Sequence, residues 1–251
     1  MRRGSPFTRF MRLFGAVLLI AGLHSAGFGG EKKVISYEAS YMGIALLDMT
    51  LTWEDMDSTV QITYDNQVKP FIGRFHHIHN IYHVHFEKDS YEPISWSKKI
   101  SEGSMDFLLE GSRSVDGANV LYSNGATASI PEDAFTVFSA THFLASKAHE
   151  TEYFPVDLKV FIDGEIWKAT ATRYTATTPH PEITLPTTQV LIQTDLQYVG
   201  GTRVMIENDI LMDVIATEGT RFILWVEGDG SYSKAQFGKF PKAVVMERLK
   251  K

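Results

Sequence analysis

Five of the nine histidines fall within ten residues, in the run His76-His-Ile-His79-Asn-Ile-Tyr-His83-Val-His85-Phe-Glu87. Imidazole together with carboxylate is a donor set for zinc, copper or nickel. Residues two apart on a strand sit about 6.8 Å apart at Cα, near enough for a His-x-His pair to reach one ion. Strand alternation puts His77, His79, His83, His85 and Glu87 on one face with Ile81, and Ile78, Tyr82, Val84 and Phe86 on the other. A catalytic zinc needs three protein ligands and an open position. His77 with His79, or His83 with His85 and Glu87, are the nominated metal ligands, with zinc or copper as the ion and no other cofactor expected. A second reading is as physical: the histidines line the water-facing side of a half-buried strand, where they take up metal adventitiously, respond to pH, or do neither. A break at Asn80 separates the two pairs.

Other chemistry dissolves on inspection. Ser95-Trp-Ser-Lys98 and Ser231-Tyr-Ser-Lys234 both match Ser-x-x-Lys, but that pair works only on one helical face, and a spacing of three on a strand sends the side chains to opposite faces. There is no Gly-x-Ser-x-Gly and no phosphate-cradling glycine loop, and His149-Glu150 lacks the second histidine of a zinc protease. No spacing singles out a general acid and its base. No catalytic residue is nominated, and a non-catalytic protein is expected.

The elements that must position these residues are strands. Tyr37, Ala39, Tyr41 alternate with polar neighbours, as do Leu47, Met49, Leu51, Trp53, then Val60, Ile62, Tyr64, then Ile94, Trp96, Lys98, Ile100, then Met105, Phe107, Leu109. Asp116-Gly117, Asn124-Gly125 and Asp163-Gly164 are hairpin turn dipeptides. Further strands are predicted at 189–196, 203–207, 222–227 and 243–249. The expected fold is mainly β: one curved antiparallel sheet or open barrel of roughly ten to twelve strands, with one packed helix over Asp133 to Lys147. That helix repeats Ala134, Val137, Phe138, Thr141, Leu144 and Ala145 at helical spacing. The proline-rich stretch from Thr177 to Pro186 is expected to connect two strands of a hairpin.

The N-terminus carries an address. Four arginines without an acid (Arg2, Arg3, Arg9, Arg12), an apolar run from Leu13 to Leu23 and small residues after it form a secretory signal. The run is about half the length of a spanning helix. Residues 1–29 are therefore expected to be removed, leaving 30–251 as one periplasmic, β-rich domain without stable membrane insertion. The chain holds no cysteine, so it has neither a lipid-modified N-terminal cysteine nor a disulfide. Of 24 basic and 30 acidic residues the leader takes four arginines, so the mature protein sets 20 against 30, a net of −10. Nucleic acid is excluded as a partner on that charge.

The order of short pieces resembles a family. An opening hairpin with Tyr41-Met-Gly-Ile-Ala-Leu-Leu precedes a strand starting Tyr91-Glu-Pro-Ile-Ser-Trp-Ser and an Ile100-Ser-Glu-Gly turn. Ile130-Pro and Phe138-Ser-Ala-Thr-His-Phe-Leu come next, before the Asp163-Gly hairpin. Over roughly Val34 to Leu249 this is similar to the bacterial exported proteins grouped as domain of unknown function 3108. Phe138 stands where that family's helix is expected to carry Asp, and Ala235 is nearest where a proline is expected. The resemblance implies a strongly curved sheet or open barrel and an envelope role, with no established activity.

Three function classes follow. The first is a carrier or assembly factor whose sheet encloses an apolar cavity for a lipid-like ligand or a protein segment, lined by Tyr37, Tyr41, Trp53, Phe107, Trp167 and Trp225. That reading requires an empty cavity of several hundred Å³ or more. The second is a metal-binding protein using the histidine strand. The third is a module that binds an envelope protein along a sheet edge.

Overall fold

Alternating apolar and polar residues drive most of the chain into strand. The structure, a computed structural model, describes residues 31–205, 209–238 and 243–249; the expected secretory leader, 1–29, lies outside them. Fifteen strands form one sheet: β1 (Lys32–Tyr41), β2 (Ile44–Met56), β3 (Thr59–Val68), β4 (His79–Glu87), β5 (Pro93–Glu102), β6 (Met105–Arg113), β7 (Asn119–Tyr122), β8 (Thr127–Ser129), β9 (Ala134–Thr136), β10 (Val156–Ile162), β11 (Glu165–Tyr174), β12 (Val190–Gly201), β13 (Arg221–Val226), β14 (Tyr232–Phe237) and β15 (Val244–Arg248). Helices α1 (Pro70–Gly73), α2 (Val137–Lys147) and α3 (Ile210–Ile215) complete the fold.

The sheet order is β8-β7-β6-β5-β4-β3-β2-β1-β15-β14-β13-β12-β11-β10-β9. Two meanders, β1 to β8 and β9 to β15, are joined in the middle by the terminal strands, with Tyr37 opposite Arg248 and Tyr41 opposite Val244. All pairings are antiparallel except β9 with β10, which is parallel. The count exceeds the expected ten to twelve because β7, β8 and β9 are three or four residues long, too short to show a period. Of the predicted strand at 203–207, Arg203 to Met205 are not strand, and the rest lies outside the described residues. Asp163 (φ 48°) and Gly164 (φ 98°) both take positive φ, making the two-residue hairpin between β10 and β11 that the dipeptide predicts. At Asn124-Gly125 and Asp116-Gly117 only the glycine does, and those turns are longer. The proline-rich stretch does connect the hairpin partners β11 and β12; His180 ties it down through Nε2 to Gln193 Oε1 at 2.9 Å.

The sheet curls until its two edges face each other. β8 and β9, at opposite ends of the strand order, are consecutive in sequence, linked by residues 130–133. Backbone hydrogen bonds do not close this seam. A cluster of Leu109, Val120, Tyr122, Ile130, Ala134 and Phe161 spans it, with Trp96 edge-on to Phe161 at 5.7 Å and to Tyr122 at 6.2 Å. Arg113 clips the link beneath, donating through Nη2 to the carbonyls of Pro131 (3.1 Å) and Glu132 (2.8 Å). Side-chain packing thus takes over the role that strand pairing has in a closed barrel.

Helix α2 lies against the inner face of the curl, packing on β4, β9, β10 and β13. It starts at Val137 and not at Asp133. Ala134 to Thr136 pair with β10, and Thr136 caps the helix, its Oγ1 accepting from Ser139 N (3.1 Å) while Ser139 Oγ accepts from Thr136 N (3.0 Å). The cap pins the boundary that apolar spacing alone does not mark. Eight of its eleven residues are buried, including Ser139 and Thr141, so it is enclosed nearly all round and not laid across a surface.

Candidate functional site: the histidine strand and the barrel lumen

β4 carries the histidines as alternation requires. Asn80, Tyr82, Val84 and Phe86 are buried, and His79, Ile81, His83 and His85 lie half-buried on the outer face, with Glu87 exposed after them. His77 lies just before the strand and is exposed. The neighbouring strand β3 takes up each ring separately. His83 Nδ1 is 2.8 Å from Thr63 Oγ1, His85 Nε2 is 2.9 Å from Thr59 Oγ1, and His79 Nε2 is 3.1 Å from Asp65 Oδ1. The hydroxyls draw the imidazoles sideways along the sheet and not toward one point. Among the described residues no group of three or more histidine, aspartate or glutamate side chains is gathered in a way that could hold a metal ion.

On the far side of the histidines the outer face is hollowed. A groove of about 580 Å³ runs over β3 to β7, with His83, His85, Ser95, Ser97, Glu110 and Ser112 among its walls. By register, His83 faces Ser97 and Ser97 faces Glu110, while His85 faces Ser95 and Ser95 faces Ser112. Two parallel rows of polar groups therefore cross three strands.

Inside the curl, the voids seen among the described residues are small. The two voids found there are about 50 Å³, lined by Tyr41, Met49, Tyr82 and Leu211, and about 40 Å³, lined by Trp96, Lys98, Phe138 and Asp163. Each has room for little more than one or two waters. The aromatics nominated for a cavity are instead mostly core. Tyr37 stacks on Tyr232 at 5.7 Å, Trp53 meets Phe86 at 6.1 Å, Trp167 meets Tyr198 at 5.4 Å, and Phe107 packs against the core cluster under the ammonium of Lys98. Tyr41 borders the larger void. Trp225 points out of the barrel, beneath Lys234 Nζ at 5.2 Å from its ring. Helix α2 packs among these side chains, beside the two small voids.

With this geometry the comparisons with known proteins can be placed. No family model matches the chain, and no curated protein does. Among solved structures, a crystal structure of a beta-barrel-like protein of domain of unknown function 1849 from Brucella abortus is similar with a TM-score of 0.51 at 8% identity, covering 87% of this chain and 95% of that one. The chain has a beta-barrel-like fold. At that identity the likeness speaks for fold alone, and membership of domain of unknown function 3108 is not established by it.

Two buried polar clusters went unread in the sequence. The first sits between α2 and the sheet. Tyr64 OH lies 2.8 Å from both His142 Nε2 and Tyr232 OH, and Tyr37 OH donates to the Tyr232 carbonyl at 3.1 Å. Two phenol protons satisfy this set if Tyr232 donates to Tyr64 and Tyr64 donates to His142, which requires a neutral imidazole protonated on Nδ1. Burial pushes the His142 pKa down to about 3 and those of Tyr64 and Tyr232 up, so all three are neutral at pH 7. Unfolding restores an ordinary imidazole near 6.5. The unfolded chain then binds the extra proton, and stability contributed by neutral His142 is full above about pH 6.5 and lost as pH falls toward 3. Urea midpoints at pH 7.5 and 5.0 should therefore differ more in the parent than in His142→Phe; equal differences would refute this.

The second cluster closes the seam from inside. Lys98 Nζ is ion-paired with Asp163 and lies 3.9 Å from Asp209 Oδ2. Asp209 is fully buried and caps α3, its Oδ1 accepting from Met212 N (2.9 Å) and from Tyr82 OH (2.7 Å). Glu102 accepts from Asn80 Nδ2 beside it. Burial raises the pKa of both Asp209 and Glu102. Its members are buried, and their hydrogen bonds and ion pairs tie β4, β5, the β10–β11 turn and the start of α3 together. The signal was present: Lys98 stands in an otherwise apolar row with Ile94, Trp96 and Ile100.

Proposed function

We propose that the protein is a non-catalytic, exported binding or assembly factor of the periplasm that works through the outside of its barrel and carries no cargo within. One observation carries this reading: helix α2 occupies the inside and leaves voids of about 50 and 40 Å³, while the outer face of β3 to β7 holds a groove of about 580 Å³. The leader supports the compartment, and the likeness of its short pieces to domain of unknown function 3108 supports an envelope role. Among the described residues no helix is long and apolar enough to cross a membrane. Ser95 and Lys98 stand on opposite faces of β5, which removes the nearest approach to a nucleophile with its base.

Fractionation and a native mass spectrum test it. The expected result is a shortened, unlipidated periplasmic species whose mass is that of the polypeptide alone. A stoichiometric lipid, or a full-length species in the inner membrane, would overturn it. A metal-handling role for His77, His79, His83, His85 and Glu87 is the weaker reading, because β3 engages three of the rings one by one.

A further inference from the structure

We infer that the outer groove binds a neutral, hydroxyl-rich ligand, a saccharide by chemical class; this rests on the proposal that the barrel works through its outer face. Serine hydroxyls donate and accept, and an imidazole nitrogen does one or the other; such groups line the groove in His83, Ser97, His85, Ser95 and Ser112, with Gln61 and Ser123 at the flanks. His83 spends Nδ1 on Thr63 and His85 spends Nε2 on Thr59. Among the described residues no hydrogen bond engages His83 Nε2 or His85 Nδ1, so each ring keeps one nitrogen for a ligand. Because a threonine hydroxyl works as donor or acceptor, each imidazole can adopt the tautomer the ligand needs.

Other ligand classes fit less well. No lysine or arginine lines the groove, so a phosphate or carboxylate would find no cation. Glu110 is its sole carboxylate, and no three-ligand set exists for a metal among the described residues. An acyl chain would bury two rows of hydrogen-bonding groups without partners, at a cost for each. A sugar satisfies these rows, because every hydroxyl it presents both donates and accepts. The rows repeat at about 4.8 Å between strands and about 6.8 Å along them, a grid on the scale of one sugar ring. The exposed side chain of Leu121 adds an apolar patch to the groove, which suits the C–H face of a pyranose. The volume lies within the range of small-ligand sites, about 300–1,000 Å³.

Amide chemical shifts of the mature protein, titrated with chitotriose, cellotriose and maltotriose, test the inference, with ZnCl₂, inorganic phosphate and an extended heptapeptide as comparison probes. At least one trisaccharide should shift residues of β4, β5 and β6 with a Kd on the order of 1 mM or tighter. Ser97→Trp, which fills the centre of the groove, should weaken that binding at least about tenfold, while Lys234→Ala, on β14, should leave it unchanged. No response to any trisaccharide, or a response indifferent to Ser97→Trp, overturns the inference. If zinc or the peptide shifts the same residues and the sugars do not, the saccharide assignment falls and the outer-face reading stands. A stoichiometric lipid in the native mass spectrum brings down both.

Discussion

Lys98→Met should lower the free energy of unfolding by about 3–5 kcal/mol, the usual cost of breaking a buried ion pair from one side. Lys98 and Asp163 are each less than a tenth exposed and Asp209 is fully buried. Removing the ammonium strands two carboxylates in a dry site, and Asp209 already has an Oδ2 without a hydrogen bond. Its pKa, raised by burial and held back chiefly by Lys98, must then climb further. A folded-state pKa above the unfolded one means that the native state holds the extra proton. The stability of the variant is therefore greatest below the unfolded value near 3.8 and falls as pH rises through the folded one. The deficit against the parent should be larger at pH 8 than at pH 5, and Lys98→Met with Asp163→Asn should recover part of it. Urea unfolding at both pH values decides; a deficit under about 1 kcal/mol, or one independent of pH, would show that Lys98 does not hold the seam.

Phe138→Ala should cost about 3–5 kcal/mol, as large-to-small changes of a core phenylalanine do. Its ring lies between Tyr64 at 4.6 Å and Tyr82 at 5.3 Å, so truncation opens a void between α2 and the sheet that neighbouring strands cannot collapse to fill. The size of the loss also separates two ideas about the interior. A helix that is part of the core gives the full cost, whereas one built to swing out and admit cargo would be held loosely and give well under half of it. Thermal and urea unfolding of the variant, read against the parent, measure this directly.

Strand content was legible because a half-buried sheet imposes a period of two, and β4 follows it residue by residue from His79 to Glu87. His77 stands ahead of the strand, where the bridge from Ile78 to Glu102 and the hydrogen bonds from Val68 N to Ile78 O and from Gly103 N to His77 O tie the chain to its neighbours. The helix start was misplaced for a different reason. Ala134 and Phe135 satisfy the apolar spacing of a helix, but pairing of Ala134, Phe135 and Thr136 with β10 claims them first. Tertiary contact overrides local preference there. Aromatic supply says that something is enclosed, and it cannot say whether the enclosed object is a ligand or the protein's own helix. The groove was hidden for a converse reason: serines on β5 and β6 have no significance until register sets them beside His83 and His85.

The pairing of the first strand with the last sets an order on biosynthesis. β1 can form its hairpin with β2 as soon as both are made, but its other edge waits for β15, roughly 200 residues later. Until β15 reaches it, that edge stays unpaired, a template for wrong partners. Lys32 and Lys33 at its start and Glu38 further along put charge on the waiting strand, which discourages a second nascent chain from pairing there. When β15 arrives, its ladder joins two half-sheets that are each already built from neighbouring hairpins. The slow, non-local step is thus reduced to a single ladder, from Tyr37–Arg248 to Tyr41–Val244.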